Sequence, residues 1–197
     1  MQRFALASLT AAALTAALPA HAHETVYQAL LLGTSEIPTA VTPGTGLATV
    51  TMDFDLLTLR VQVTFAGLIG TTTASHIHCC TVTPGAANVG VATQTPSFTG
   101  FPTGVTSGIY DHTFDMSLAS SYNAAFITAN GGTVGSAFNA LAAGLDSGNA
   151  YLNVHTTAFP GGEIRALLTP VPEPETYALM LSGLGVLAFA ARRRRGH

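Results

Sequence analysis

The sequence contains no lysine, and its only two cysteines are adjacent. Between residues 24 and 169 just two residues, Arg60 and Arg165, are basic, against eight acidic residues. This central region therefore carries a net charge of about −6 when its histidines are neutral. A region this acidic is a poor partner for nucleic acid, and its favourable partners are metal cations, basic surfaces or neutral glycans.

Motifs of common catalytic sites are also missing. The sequence has no Gly-x-Ser-x-Gly nucleophile elbow, no His-Glu-x-x-His zinc motif and no phosphate-binding loop. Two pairs of nearby acids, Asp53 with Asp55 and Asp111 with Asp115, lie beside predicted strand ends. Acids at such positions are usually solvated turn residues. We therefore expect a protein that is not an enzyme.

The N-terminus has the pattern of a secretion signal. Arg3 supplies a positive charge, residues 4–18 are predominantly apolar, and Ala20-His21-Ala22 has the small-x-small arrangement that signal peptidase recognises. Residues 1–22 are therefore predicted to be a signal peptide with a helical apolar segment. Cleavage after Ala22 makes His23 the first residue of the mature protein.

Three features follow one another at the C-terminus. Pro172-Glu173-Pro174 opposes helix formation, residues 176–191 form an uncharged run of 16, and the basic cluster Arg192, Arg193, Arg194 and Arg195 comes next. As a helix the run spans about 24 Å against a bilayer core of ~30 Å. We predict a short transmembrane helix that anchors the protein temporarily, with the arginines as a cytoplasmic membrane stop. On length and charge alone, a permanent single-pass anchor is the alternative.

This tail resembles a bacterial PEP-CTERM sorting signal in its Pro-Glu-Pro motif, its short apolar helix with Gly183 and Gly185, and its arginine cluster. The resemblance implies processing near Pro172, Glu173 and Pro174 by an exosortase, a membrane transpeptidase-like enzyme. It also implies that the secreted protein ends in the cell envelope, at the cell surface or outside the cell. We divide the chain into a signal peptide (1–22), a central domain (23–170) and a sorting tail (171–197).

Residues 23–170 are about the size of one domain. Within them, β-branched and aromatic residues alternate in short runs that Gly, Pro, Asn and Asp interrupt, which predicts strands and turns. Seven such runs predict a mainly β fold, a single immunoglobulin-like β-sandwich. Apolar residues recur at three- and four-residue spacing in residues 120–146, which predicts two short helices. The predicted strands are 25–32, 46–54, 57–66, 74–79, 108–116, 151–156 and 163–168.

Two of the predicted strands carry histidines with the spacing of metal ligands. His76 and His78 share one face of a strand, about 6.6 to 7 Å apart. On the other strand, alternation places His155 away from the core, where it becomes a third ligand if the strands are neighbours. Three imidazoles with an open position suit copper or zinc. The alternative is that these histidines are structural and hydrogen bond to backbone carbonyls.

Cys79 and Cys80 directly follow the first two histidines, and the exported compartment favours disulfides. Three outcomes remain open. The pair forms a disulfide within a turn, or both thiols stay free and one binds a metal, or the pair bridges to another chain.

The same segments resemble the CHRD domain over residues 24–168. The resemblance rests on residues 74–78, 108–110 and 150–156, and on Phe159-Pro160-Gly161-Gly162-Glu163-Ile164-Arg165. It implies a β-sandwich, and we expect a surface or matrix module with a binding or structural role, its partner an envelope polysaccharide or a surface protein. The competing hypothesis is a metal-binding protein that uses the three histidines. Because Glu163 and Arg165 share a strand face, we also expect them to pair at the surface.

The two terminal signals predict the ends of the mature protein. Mass spectrometry of the protein from its native envelope should find an N-terminus near His23 and a C-terminus between Pro172 and Glu175. A mature chain that still begins at Met1, or that retains its arginine cluster, would contradict the corresponding signal.

Overall fold

The computed structural model of the protein describes residues 23–172, 180–185, 187 and 192. The predicted signal peptide, with Ala20 and Ala22, lies outside these residues, as do Glu173, Pro174 and Arg193 to Arg195. Residues 180–185 of the tail are helical and exposed. In the ranges that are described, no helix has both the length and the apolar character needed to cross a membrane.

The described domain is built mainly from strands. Each of the seven predicted runs corresponds to a strand whose ends differ from the prediction by at most two residues, and a short eighth strand precedes the tail. Buried and exposed residues alternate along most of them, as expected for strands with one face on a core. The strands are β1 (Glu24–Leu32), β2 (Thr45–Asp53), β3 (Thr58–Ala66), β4 (Thr72–His78), β5 (Gly108–Asp115), β6 (Tyr151–Thr156), β7 (Ile164–Leu167) and β8 (Thr169–Pro170).

These strands form one curled antiparallel sheet, so the predicted two-sheet sandwich is wrong. The order is β4-β6-β7-β1-β2-β3-β5, and β8 pairs with β1 beside β7. The reason lies in β1, which pairs with β2 along nine residues and uses its other edge for β7 at Leu32 and for β8 at Tyr27 and Gln28. Because both edges of β1 are hydrogen bonded, the sheet continues around the core and does not split into two layers.

Two helices close the core in the region where the sequence predicts them. They are α1 (Ala124–Ala129), which Asn123 caps, and α2 (Val134–Asp146), which begins with a capping box formed by Thr133 and Ser136. The buried face of α2 carries Phe138, Leu141 and Leu145. At its C-terminal end, Asp146 accepts a hydrogen bond from the buried Tyr27 hydroxyl of β1, which ties the helix to the sheet.

The edge of β4 is covered by the chain that follows it. Backbone amides of Ala92, Phe98 and Gly104 donate to carbonyls of β4, and Val91 forms a bridge with His78. This loop satisfies the backbone of the edge strand, as expected for an edge protected from further pairing. It also places the segment from residue 79 to residue 91 directly beside the histidines of β4.

Gly144 of α2 lies against the Cys79–Cys80 disulfide, and a Cβ there would collide with both sulfur atoms. We expect Gly144→Ala to destabilise the protein because overpacking costs about 1–3 kcal/mol, which exceeds the gain of up to ~1 kcal/mol in helix propensity. The matched control is Gly135→Ala in the same helix, where an added Cβ would have no atom of the described residues within 4 Å apart from the backbone of its own helix and its chain neighbours. Urea unfolding should show the two variants moving in opposite directions, and a Gly144→Ala variant as stable as the wild type would contradict this packing.

Candidate metal site

The pairing of β4 with β6 brings three histidines together on the sheet face opposite the core. His76 pairs with Asn153, and Ala74 pairs with His155, so His76 and His155 are diagonal neighbours. Their Nε2 atoms lie 2.9 Å apart. One ring nitrogen from each of His76, His78 and His155 lies within 4.8 Å of the other two.

This spacing suits a shared cation. Three atoms with no pair farther apart than 4.8 Å fit within a sphere of radius about 2.8 Å, against metal–nitrogen bonds of about 2.0–2.1 Å. Shifts of less than about 1 Å therefore bring all three nitrogens to bonding distance. Among the described residues, these histidines form the one group of three or more His, Cys, Asp or Glu side chains that can hold a metal ion.

Backbone carbonyls orient two of the imidazoles. The Nδ1 atom of His78 lies 2.7 Å from the carbonyl oxygen of Val89, and the Nδ1 atom of His155 lies 2.8 Å from that of Pro160. Because a carbonyl only accepts hydrogen bonds, both Nδ1 atoms carry the ring proton and both Nε2 atoms present a lone pair. Outer hydrogen bonds of this kind fix the tautomer of metal-binding histidines. The His78 Nε2 atom is buried and has no hydrogen-bond partner among the described residues.

His76 completes the cluster in a different way. Since the His155 Nε2 atom is an acceptor, the Nε2 atom of His76 donates the hydrogen bond between them. The Nδ1 atom of His76 is then a buried acceptor for which the described part of the chain provides no donor. Transfer of the ring proton from Nε2 to Nδ1 would give His76 an Nε2 lone pair that faces the other two.

All three imidazoles are neutral near pH 7. Burial, reinforced by the positive charges that His155 and His78 would carry, lowers the pKa of His76 to about 3. Burial likewise lowers the pKa of His78 to about 4, against the hydrogen bond to Val89, and lowers that of His155. Neutral imidazole is the form that binds metals. The low-dielectric setting that disfavours a proton here favours a ligand with a lone pair.

A layer of polar and aromatic residues beside the histidines was not found from the sequence. The Tyr151 ring stacks on His78 with centroids 4.6 Å apart, and the guanidinium of Arg165 lies 4.4 Å from the Tyr151 centroid. Glu36 lies 3.7 Å from Arg165, and both side chains are almost fully buried. Strand alternation places Tyr151 and Arg165 on the same sheet face as the histidines, so the sequence pattern could have identified these two residues. Glu36 lies outside the strands, and alternation could not have identified it.

The predicted surface pair of Glu163 with Arg165 is wrong. Both residues are buried, and Arg165 has Glu36 as its carboxylate partner. The carboxylate of Glu163 accepts hydrogen bonds from Thr42, Thr156 and the backbone amides of residues 69 and 70. These donors hold the pKa of Glu163 below its ordinary value against the opposing effect of burial. Glu163 therefore holds loop residues 42, 69 and 70 through hydrogen bonds that do not involve Arg165.

Of the three outcomes open for the cysteines, the structure contains the disulfide between Cys79 and Cys80. Its sulfurs pack on α2 at Gly144, and the Cys80 sulfur lies near the carbonyl of Ala140. In this oxidised state neither sulfur is a thiolate ligand. The disulfide thus packs the chain at the end of β4 against α2. The candidate ligands of the cluster are therefore its three imidazoles.

Comparisons with known proteins identify two parts of the chain. Residues 27–168 match the model of the CHRD domain, and residues 170–195 match the model of the PEP-CTERM protein-sorting motif. Both resemblances seen in the sequence are confirmed by these matches. Neither a curated protein nor a solved structure matches the chain significantly.

Because the histidines are held neutral, stability without metal should fall in acid. Their pKa values in the folded state lie below the ordinary value near 6.5, so the unfolded chain binds protons first as the pH falls from about 6.5 towards 4. Each such histidine should lower the free energy of unfolding by about 1 kcal/mol per pH unit in that window. Glu36 acts in the opposite direction, since burial raises its pKa to about 7.

Because Glu36 is present in every variant, its contribution to the pH dependence of stability cancels when a histidine variant is compared with the wild type. Urea midpoints measured with a chelator between pH 7 and pH 5 should fall less steeply for His76→Gln than for the wild type. The control His112→Gln changes a histidine between Tyr110 and Phe114 outside the cluster, and it gives the slope of a variant that keeps all three cluster histidines. If the urea midpoint changed with pH equally in His76→Gln and in the wild type, the conclusion that burial keeps the cluster histidines neutral would be contradicted.

Proposed function

The chain belongs to the CHRD family, and from that premise we propose that it is an exported surface module that binds copper or zinc through His76, His78 and His155. The convergence of the three imidazole nitrogens within 4.8 Å of one another carries the proposal. The role is binding or structural and not catalytic, in keeping with the missing catalytic motifs. Delivery depends on an exosortase-type system that recognises the sorting motif.

The way the domain ends supports processing of the tail. Strand β8 closes the domain at Thr169 and Pro170, and the amide of Val171 donates to the carbonyl of Val26. Pro172 follows directly and is exposed. Cleavage between Pro172 and Glu175 therefore leaves all eight strands in the mature protein. The chain first passes the membrane with its signal peptide, remains there transiently, and reaches the cell surface when the tail is removed.

The chemistry of the cluster supports copper or zinc as the cation. Imidazole is a suitable ligand for both metals, whereas magnesium and calcium prefer oxygen ligands. Two of the three rings already present an Nε2 lone pair, because Val89 and Pro160 hold the proton at Nδ1. Three protein ligands leave a coordination position open for water or for a group of a surface partner. The acidic domain favours the approach of cations, and neutral envelope polysaccharides or surface proteins remain its proposed macromolecular partners.

Elemental analysis of the mature protein from its native envelope tests this function. We expect about one equivalent of copper or zinc per chain in the wild type. His76→Ala, His78→Ala and His155→Ala should each lower the affinity at least about 100-fold, since loss of an outer hydrogen bond alone costs 10–100-fold. His112→Ala is the matched control and should retain the metal.

Competition titration with a chromophoric chelator gives the affinities and identifies the preferred metal. Absence of stoichiometric metal in the wild type, or the same affinity in the wild type and in all three cluster variants, would refute the metal-binding function. It would leave the export assignment unaffected, because that rests on the sorting motif.

A further inference from the structure

His78 owes its orientation to a loop and not to its own strand. The acceptor of its Nδ1 proton is the carbonyl of Val89, which lies in the segment between Cys80 and Val91 that has no regular structure. Most of that segment is exposed. A metal ligand that depends on an exposed loop needs that loop to be fixed from elsewhere, because a free carbonyl would not hold one tautomer.

Arg165 fixes this loop from β7. Its Nη1 atom donates to Oδ1 of Asn88, the residue before Val89, at 2.6 Å, and its Nε atom donates to the carbonyl of Ser35 at 2.6 Å. The Asn88 side chain in turn donates to the carbonyl of Ile37 at 2.6 Å. One buried guanidinium therefore joins two loops that lie far apart in the sequence.

Tyr151 connects Arg165 to the ring of His78 through direct contacts with both side chains. Its ring lies between the Arg165 guanidinium, 4.4 Å from the centroid, and the His78 imidazole, which is stacked at 4.6 Å with an interplanar angle of 7°. Its hydroxyl oxygen accepts a hydrogen bond from the Val89 amide at 3.3 Å. Tyr151 thus contacts both the histidine and the residue that holds the histidine proton.

We propose that Arg165 is a positioning residue of the metal site, which acts through Asn88 and Tyr151 to hold the Val89 carbonyl against Nδ1 of His78. This inference rests on the proposed function and says how the site keeps His78 in the ligand form. A guanidinium suits this role, because it donates to Ser35 and Asn88 while its central carbon lies over the Tyr151 ring. Lysine has neither the planar fork nor the flat face. Glu36 lies 3.7 Å from Arg165 and, in its ionised form, offsets part of the positive charge.

The test is Arg165→Lys in the full chain, with Arg60→Lys as the matched control. Arg60 is the other arginine between residues 24 and 169, and it pairs with Asp111 at the exposed surface. Nitrogen-15 NMR of histidine-labelled, metal-free protein reports the tautomer of each ring. The wild type and Arg60→Lys should show Nδ1–H at both His78 and His155. In Arg165→Lys, His78 alone should shift towards a mixture with Nε2–H.

Asn88→Ala provides a second variant that leaves the core intact, since Asn88 is exposed. It should produce the same change at His78 and leave His155 unchanged. In both variants, zinc or copper affinity should fall about 10–100-fold, the range for loss of an outer hydrogen bond of a metal ligand. Arg60→Lys should bind metal as the wild type does.

Two results would overturn the positioning role. One is an unchanged His78 tautomer in Asn88→Ala and in folded Arg165→Lys, and the other is an equal shift at His155, which would indicate general loosening. The NMR measurement needs no metal, so it judges the positioning role separately from the metal-binding function. A His78-specific shift in a protein whose wild type binds no metal would support the positioning role and refute the proposed function.

Discussion

The antiparallel pairing of β4 with β6 is the constraint on which the candidate site depends. It places His76 opposite Asn153 and makes His155 its diagonal neighbour. Because side chains alternate between the two faces of a strand, a slip of one residue would turn one set of histidines towards the core. Ile77, Leu152 and Val154 oppose such a slip, since each is fully buried and burial of a side chain of this size contributes about 1.5–3 kcal/mol. The apolar face of the pair thereby determines the geometry of its polar face.

Strands and loops contribute different properties to the site. The strands determine where the imidazoles lie, whereas the carbonyls of Val89 and Pro160, both in loops, determine which ring nitrogen carries the proton. Burial keeps the histidines neutral. Arg165 lies 3.7 Å from Glu36, and burial raises the pKa of that carboxyl group to about 7. A face that alternation alone would leave in water has thus become a low-dielectric setting that disfavours the charged form of the three imidazoles.

Sequence patterns predicted the local features of the fold but did not predict that the strands form one continuous curled sheet. Alternation located the strands, and three- and four-residue spacing located the two helices, because both depend on residues close together in the chain. The sandwich was wrong because the number of strands does not tell whether β1 is hydrogen bonded on one edge or on both. The pairing of Glu163 with Arg165 was wrong because their partners, Thr42 and Glu36, come from a different part of the chain.

The sequence by itself determined the sorting motif, the mainly β character and the shared face of His76 and His78. Each of these depends on a short contiguous pattern that acts without the rest of the molecule. Only the tertiary structure decided that His155 meets them, 79 residues from His76, and that burial holds all three neutral. It also decided that Arg165 reaches Asn88 across 77 residues. Such contacts follow from strand order and loop packing. These depend on how all segments of the chain bury their apolar residues in one core, which no short pattern specifies.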